Sequence, residues 1–330
     1  MKYLCLAVPK KRAEQIRQKL IKMNLLVRNV KIERDNEYVY FPVKEEVDFE
    51  GCFVVERDME EIERESFREV LKKRGIEIDA LSIDFIGDIA IIRAVEEEKA
   101  IAVAEAIMKT NKRVRAVFLD KGVREDYRVR AVHHLLGEKK TETIHVEYGV
   151  RIKIDVAKAY FSPRLAAERM RVAKKIREGS IVIDMFAGVA PFSLVIAKYA
   201  APKKIYAIDK NPYAVKYARE NVRINGVESI IEVIEGDAKE IVPKLPEANH
   251  IIMNLPHRGF EFLPLAMEKG EVLHYYEIME RGKIEERVKE IKEIGKKLGY
   301  GIEIKNVRVV GSYSPAKQRI GMETYVKKKM

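Results

Sequence analysis

The stretch Ile181-Val182-Ile183-Asp184-Met185-Phe186-Ala187-Gly188-Val189-Ala190-Pro191 is an apolar run that ends in an acid, turns through a glycine and re-enters an apolar segment. That order describes a strand, a tight loop and a helix N-terminus. A second apolar run, Ile205-Tyr206-Ala207-Ile208-Asp209, also ends in an acid. Acids at successive strand ends are what an open parallel sheet uses to hold an adenosine-bearing cofactor across its carboxyl edge. An ordinary buried strand with a capping Asp is the alternative for the first loop taken alone.

The later segments extend the pattern. Asn211-Pro212 opens a helix that runs to Asn225, Ile230–Ala238 reads as a third strand ending in Gly236-Asp237, and His250–Met253 is a fourth, ending in Asn254-Leu255-Pro256-His257. A pyrophosphate needs a third glycine and bare amides at the helix start, whereas this loop offers Ala187, Gly188, Val189, Ala190 and a proline that removes a donor. The loop therefore suits S-adenosylmethionine better than a dinucleotide. Ala187 and Gly188 would allow close approach, Asp184 would face the cationic amino-acid end, Asp209 would take the ribose hydroxyls and Asp237 the adenine amino group. Phe186, Lys210, Ala238 and Pro256 flank these positions and complete the expected cofactor set. Asn254 carries both a carbonyl and an amide, and Pro256 stiffens its turn, a combination suited to holding a flat nitrogenous base. An Asn in a Pro turn is also common in loops without such a role.

Residues 120–330 resemble the archaeal and eukaryotic class I tRNA (guanine-37-N1)-methyltransferases. The resemblance rests on Leu136-Gly137-Glu138, Tyr160-Phe161-Ser162-Pro163-Arg164-Leu165-Ala166-Ala167-Glu168-Arg169, Asp184-Met185-Phe186-Ala187-Gly188, Asn254-Leu255-Pro256, His274-Tyr275-Tyr276 and Ser312-Tyr313-Ser314-Pro315. It implies an α/β fold: a Rossmann-like class I S-adenosylmethionine-dependent methyltransferase domain with two smaller N-terminal α/β domains. Guanine N1 carries a proton at neutral pH, so its methylation needs a general base. Charge moves to O6 as the proton leaves, so a donor facing O6 lowers the barrier. The resemblance assigns the base to Glu168 and the O6 contact to Arg128 or Arg130, between which the sequence does not choose. Without the motif, Glu168 reads as a surface glutamate near a helix N-terminus, and either arginine as a phosphate contact or a solvated strand residue. The resemblance also places Tyr160 and Phe161 at the cofactor, Ser162, Arg164, His257 and Phe260 at the substrate, and Asn254 in catalysis. Ser162, followed by Pro163, further reads as the cap of a helix running to Arg177.

The chain has 330 residues and a formal net charge of +11, which attracts a polyanion. Its 35% of charged residues also suits a thermophile's solvated surface. The resemblance makes the polyanion tRNA, engaged at its anticodon loop and, through a small N-terminal module, at its outer corner. The target base would be splayed out of its stack. Three units are expected: 1–50, a small α/β tRNA-binding module; 51–155, an intermediate α+β domain with a strand over 85–92 and hairpin strands at 143–147 and 150–154; and 156–330, the methyltransferase domain. Cys5 and Cys52 form no CxxC pair, and His133, His134, His257 and His274 lack metal-ligand spacing, so no metal site is expected. No apolar run of membrane-spanning length appears, and the start leads into a folded-looking strand, so a cytoplasmic location and no membrane partner are expected, with a monomer as the assembly.

Two departures from the family pattern stand out. Ala190 replaces a usual glycine, and His257 follows the Asn-Leu-Pro turn. The second, with the short N-terminal module, is similar to an archaeal branch in which some members also methylate C7 of the wyosine precursor imidazoguanine at the same tRNA position. Competing readings are a wyosine-pathway aminocarboxypropyl transferase, which opens a different carbon–sulfur bond of the same cofactor, and a non-catalytic tRNA-binding protein. A small-molecule methyltransferase is hard to reconcile with the positive charge and the extra N-terminal residues.

Overall fold

A computed structural model of the chain describes residues 1–27, 29–62, 65–78, 81–93, 96–123, 127, 129–314 and 316–328. Its contacts fall into two compact units, Met1–Gly75 and Ile76–Met330.

The first unit contains β1 (Lys2–Pro9), α1 (Ala13–Lys22), β2 (Glu33–Arg34), β3 (Tyr38–Pro42), β4 (Phe53–Asp58) and α2 (Phe67–Lys73). The sheet order is β2-β3-β1-β4. Ile16 and Leu20, one helical turn apart on α1, are buried with Leu6 and Val8 of β1 and Phe41 of β3. The boundary expected at residue 50 lies inside this unit. β1 exposes ladder groups on both sides, and the strand after the acidic stretch satisfies the second side, with Cys5 opposite Val55.

The second unit begins with β5 (Ser82–Ile86), β6 (Ile89–Arg93), α3 (Glu97–Thr110), β7 (Ala116–Val123) and β8 (Arg130–Gly137), in the sheet order β5-β6-β7-β8. The single strand expected over 85–92 is instead a hairpin that turns at Gly87, whose φ is +56°. β6 and β7 are parallel, and α3 is the crossover such a pair requires. Then come β9 (Glu142–Glu147) and β10 (Val150–Asp155), joined through Tyr148 and Gly149. Both have positive φ, the backbone of a type I′ hairpin turn.

The expected division at residue 155 is absent, because β10 is fastened to two asparagines of the methyltransferase segment. Asn221 accepts from Lys153 N at 2.7 Å and Asn225 from Arg151 N at 2.9 Å. Both asparagines return a bond through their amide nitrogens, so two side chains do for β10 what a neighbouring strand would.

The remaining elements are α4 (Ala166–Ala173), β11 (Ile181–Asp184), α5 (Pro191–Ala200), β12 (Lys204–Asp209), α6 (Pro212–Ile224), β13 (Ile231–Glu235), α7 (Ala238–Ile241), β14 (Ala248–Met253), α8 (Leu263–Lys269), β15 (Gly270–Glu280), α9 (Ile284–Lys297), β16 (Tyr300–Ser312) and β17 (Lys317–Lys328). They form a seven-stranded sheet in the order β13-β12-β11-β14-β15-β17-β16. The first five strands are parallel and β17 is antiparallel to both neighbours. Side chains alternate between two cores: Val182, Ile205 and Ile252 pack with α5 and α6, while Ile183, Ile208 and Ile251 pack with α8 and α9. The chain order reverses between β11 and β14, so the carboxyl ends of β11, β12 and β14 flank the switch point where such sheets bind ligands.

The β5–β6 turn gives a direct stability test. A methyl group on Gly87 would sit 2.1 Å from Thr143 Oγ1 and 2.6 Å from the Ile144 carbonyl oxygen, at a φ that side chains rarely adopt. Gly87→Ala is expected to cost about 2 kcal/mol or more, read as a lowered midpoint in urea at unchanged m-value.

Candidate functional site

A cavity of about 480 Å³ opens at the switch point. Its floor is the loop after β11. Within that loop Met185 N donates to the Ile252 carbonyl (3.1 Å) and Ala187 N to the Ile208 carbonyl (2.8 Å), which ties it to both neighbouring strands. Gly188 has φ +57°, and its N–H donates to Asp209 Oδ2 at 2.7 Å. Ala190 also takes the left-handed conformation, φ +65° and ψ 34°, as the N-cap of α5 with Pro191 following. That conformation costs an L-residue about 1–2 kcal/mol. The loop geometry thus survives where the family's glycine is replaced.

Asp209 accepts from Gly188 N with one carboxylate oxygen and from Asn211 N (2.9 Å) with the other, and it lines the cavity. Burial raises its pKa, opposed by those backbone donors. Asp184 behaves differently from expectation. It is buried beneath the loop, is not among the cavity-lining residues, and accepts from Ser193 Oγ at 2.8 Å. Its other oxygen has no partner. Burial pushes its pKa up to about 7, with Asp209 adding to the rise and Ser193 opposing it. The carboxylate therefore supports the loop from below and is not part of the cavity wall.

An adjoining lobe of about 250 Å³ shares Phe186, Asp209 and Leu255 with the main cavity and is further lined by Lys210, Asp237 and Ala238. Asp237 caps α7 by accepting from Lys239 N at 2.8 Å. On the other side of the floor, Asn254, Pro256 and His257 line the main cavity. Asn254 Oδ1 is buried without a partner, a polar atom aimed at something the protein does not supply. Phe260, expected beside them, is off the cavity. It packs with the core between the sheet, α8 and α9, under the Arg287 guanidinium at 4.1 Å.

The opposite wall comes from β6–β8 and the segment before α4. Arg130, Tyr160, Phe161 and Ser162 line it. Arg130 is buried, donating to Asp84 Oδ2 at 2.6 Å and to the Phe161 carbonyl at 3.2 Å, while its Nε has no partner. Arg128 lies outside the described residues. Ser162 makes no capping bond: it is extended, a 3-10 turn over Pro163–Leu165 comes next, and its carbonyl instead accepts from the buried Arg169. Arg164 is absent from the wall as well, because it pairs with Asp84 Oδ1 at 2.6 Å.

Glu168 is the largest correction. It does not line the cavity. Its carboxylate is buried against Tyr276 Oη (2.6 Å), Arg171 (2.9 Å) and Arg308. Burial alone would raise its pKa, but those donors reverse the shift and hold it below the usual glutamate range. A carboxylate in that setting is a poor proton acceptor. Sequence reasoning in turn missed Asp120 and Arg93, which line the cavity as a pair at 2.8 Å, and Arg319. Asp120 follows the apolar run Val117-Phe118-Leu119, so the strand-end rule that finds Asp184 and Asp209 also finds it. Among the described residues no group of His, Cys, Asp and Glu is arranged to hold a metal, and no helix is long and apolar enough to cross a membrane.

The family model described as the TRM5/TYW2 methyltransferase domain matches residues 143–303, and the tRNA methyltransferase 5 N-terminal domain matches residues 5–49. The chain is 41% identical to the tRNA (guanine(37)-N(1))-methyltransferase Trm5b of Pyrococcus abyssi, over 97% of this chain and 98% of the relative. The solved complex of aTrm5 and tRNALeu superposes with a TM-score of 0.71 at 37% identity, covering 98% of this chain and 100% of that one. The crystal structure of Methanocaldococcus jannaschii TYW2 in complex with AdoMet superposes at 0.59 with 29% identity, covering 75% of this chain and 100% of that one.

The buried Asp184 gives a pH signature. Its pKa stands near 7 in the folded protein against an ordinary 3.8, so between those values the unfolded chain has released a proton that the folded one still holds. Stability attributable to this group is therefore full below about pH 4 and lost as pH rises through 7. Asp184→Asn removes the titration. Urea denaturation at pH 5 and pH 8 should show a smaller loss on going to pH 8 in the variant than in the wild type.

Proposed function

The chain belongs to the TRM5/TYW2 methyltransferase family, and from that premise we propose that it transfers the methyl group of S-adenosylmethionine to N1 of guanosine 37 in the anticodon loop of tRNA. The observation that carries the reading is the pairing of two unlike ends in one cleft. One end holds Asp209 and Asp237, and the other holds Arg130 and the unpartnered Asn254 oxygen.

The residues present fit the cofactor. Asp209 uses each oxygen once on a backbone donor, which leaves lone pairs for the two ribose hydroxyls. The lobe formed by Phe186, Ala238 and Asp237 suits a flat apolar ring with an amino edge. A methyl group on Gly188 would find only the Tyr160 carbonyl within 4 Å, at 3.6 Å, so the backbone there is open to close approach. When bound, the cofactor supplies a methyl carbon already activated by its positive sulfur.

The chain's own residues must then orient guanine and move one proton. Arg130 Nη1 stands 3.9 Å from Asp120 Oδ2, a spacing compatible with the adjacent O6 and N1–H of a guanine edge. In this arrangement Arg130 donates to O6 and Asp120 accepts the N1 proton. The N1 lone pair forms the new bond to the methyl carbon, and the carbon–sulfur bond breaks with its electron pair leaving on sulfur. Arg93 fixes Asp120 in place by donating to its Oδ2 from Nε and Nη2 at 3.1 and 2.8 Å, and the Arg130 donation to O6 acidifies N1. Asn254 fixes the base through its amide. The unit Met1–Gly75, of which residues 5–49 match the N-terminal domain model, is proposed to engage the tRNA away from the reacting base. The aminocarboxypropyl reading is weaker, since the tRNA(Phe) (4-demethylwyosine(37)-C(7)) aminocarboxypropyltransferase of Methanocaldococcus jannaschii is 34% identical over 70% of this chain and Trm5b 41% over 97%.

Incubation with tRNA transcript and methyl-labelled cofactor, followed by nucleoside mass spectrometry, should give 1-methylguanosine at position 37. An aminocarboxypropyl mass, or no product, would overturn the reading. Asn254→Ala should lower kcat by about 10²–10³ while tRNA still binds.

The proton acceptor is tested separately by the pH–rate profile. Asp120→Asn should lower kcat by about 10²–10⁴ and remove the limb that reports the base. Glu168→Gln should keep that limb. The opposite pattern would return the base to Glu168.

A further inference from the structure

Besides Arg169, which Glu147 already holds, Arg319 is the described arginine on the cleft wall that neither the proton transfer nor the methyl transfer uses. It sits on β17 opposite Ile278 and Gly311. Its Nη2 lies 3.5 Å from Tyr160 Oη, at the edge of hydrogen-bond range, and its Nε is buried with no partner. Among the described residues no carboxylate pairs with it. Arg319 as a whole is half-buried, but a buried guanidinium nitrogen without an acceptor is costly, so a partner from outside the chain would be favoured.

The charges around it point the same way. Besides Arg169, which pairs with Glu147, the wall carries Arg93, Arg130 and Arg319 against Asp120, with Asp84 pairing Arg130 from off the wall. That end of the cleft therefore carries a surplus of positive charge. Tyr160 registers it. Burial would raise the pKa of its hydroxyl, but Arg319, Arg130 and Arg93 more than reverse the shift.

The position within the cleft identifies the anion. Arg319 lines the main cavity and not the lobe with Asp237 and Ala238. Beside it stand exposed aromatic surfaces: Tyr160 is 38% exposed, Tyr313 is 48% exposed, and the Tyr313 ring meets His257 edge to face at 5.5 Å. Aromatic faces at a cleft mouth suit a splayed RNA base, and a base entering there brings its own phosphates along the wall. Phosphate oxygens match a guanidinium in a two-point contact.

We propose that Arg319 is a seat for a phosphodiester group flanking the target nucleotide, a substrate-positioning contact distinct from Arg130 and resting on the tRNA methylation reading. The competing source of an anion is the carboxylate of the cofactor, and the two are separable. The full chain is compared with Arg319→Ala and Arg319→Lys on full-length tRNA, unmodified or carrying a neutral methylphosphonate at either phosphate flanking guanosine 37. Arg319→Ala should lower kcat/KM on unmodified tRNA about tenfold and reduce the slope of log Kd for tRNA against log salt by about one. One of the two methylphosphonates should lower wild-type kcat/KM similarly and add nothing further in Arg319→Ala. Arg319→Lys should keep the salt slope and lie between the two in kcat/KM. The affinity for S-adenosylmethionine without tRNA, measured calorimetrically, should be unchanged in both variants.

Independent losses from the variant and the methylphosphonates, or an unchanged salt slope in Arg319→Ala, would overturn the proposal. Weakened cofactor binding would assign Arg319 to the cofactor carboxylate and overturn it equally. If Arg319→Ala does not fold, the methylphosphonate comparison in Arg319→Lys decides. Should the wild type bind tRNA without methylating guanosine 37, the parent reading fails, while the salt slopes still judge the phosphate seat.

Discussion

The cleft depends on one carboxylate. Asp209 bridges the Gly188 and Asn211 amides, and so joins the loop after β11 to the start of α6 across the point where strand order reverses. Without that bridge the two loops would be held only by separate contacts, because the strands beneath them end at Asp184 and Asp209. The arrangement costs burial of a negative charge, which the raised pKa of Asp209 records. It is offset by backbone N–H groups that would otherwise be orphaned at a loop and a helix start. The carboxylate thus holds the floor together and presents its remaining lone pairs to the cavity.

A second layer of buried charge supports the floor from behind. Glu147 pairs with Arg169, which also donates twice to the Ser162 carbonyl. Glu168, the neighbouring residue, pairs with Arg171 and Arg308. Such pairs add little net stability, since desolvation consumes most of their attraction. Their value here is geometric: two adjacent residues of α4 fix different partners, Arg169 toward the cavity wall and Glu168 toward β16. Rotation of α4 would strand buried charges on both sides at once.

The parts legible in the sequence are those encoded within a few residues. The buried runs of β11, β12 and β14, the acids that end β11 and β12 and the Asn211 cap of α6 all depend on local spacing, and each element falls where that spacing points. The β5–β6 hairpin was hidden because Ile86-Gly87-Asp88-Ile89 is apolar on both sides of a two-residue break, and only the φ of Gly87 separates a turn from an irregular strand. Glu168 sits off the cavity wall for the opposite reason. Arg171, three residues on in the same helix, and Arg308, 140 residues away, both hold its carboxylate, and only the first contact follows from local spacing. Phe260 was likewise drawn from the cleft by Arg287 on α9, a contact no local pattern encodes.

The two ends of the cleft also differ in their balance of charge. At the end proposed for adenosine, Asp209 and Asp237 share the wall with Lys210, Lys239 and Arg258, so the two signs balance there while the acids remain placed to accept from hydroxyls and an amino group. At the other end the guanidiniums outnumber the carboxylates and stand beside exposed aromatic rings. On the proposed reading, an RNA loop is attracted to that end more than to the first. The difference follows from which element supplies each wall: β12 ends in Asp209 at the cavity, whereas β6, β8 and β17 contribute Arg93, Arg130 and Arg319. The topology that brings β8 and β17 to the mouth of the sheet therefore concentrates the surplus positive charge at one end of the cleft, apart from the lobe with Asp237.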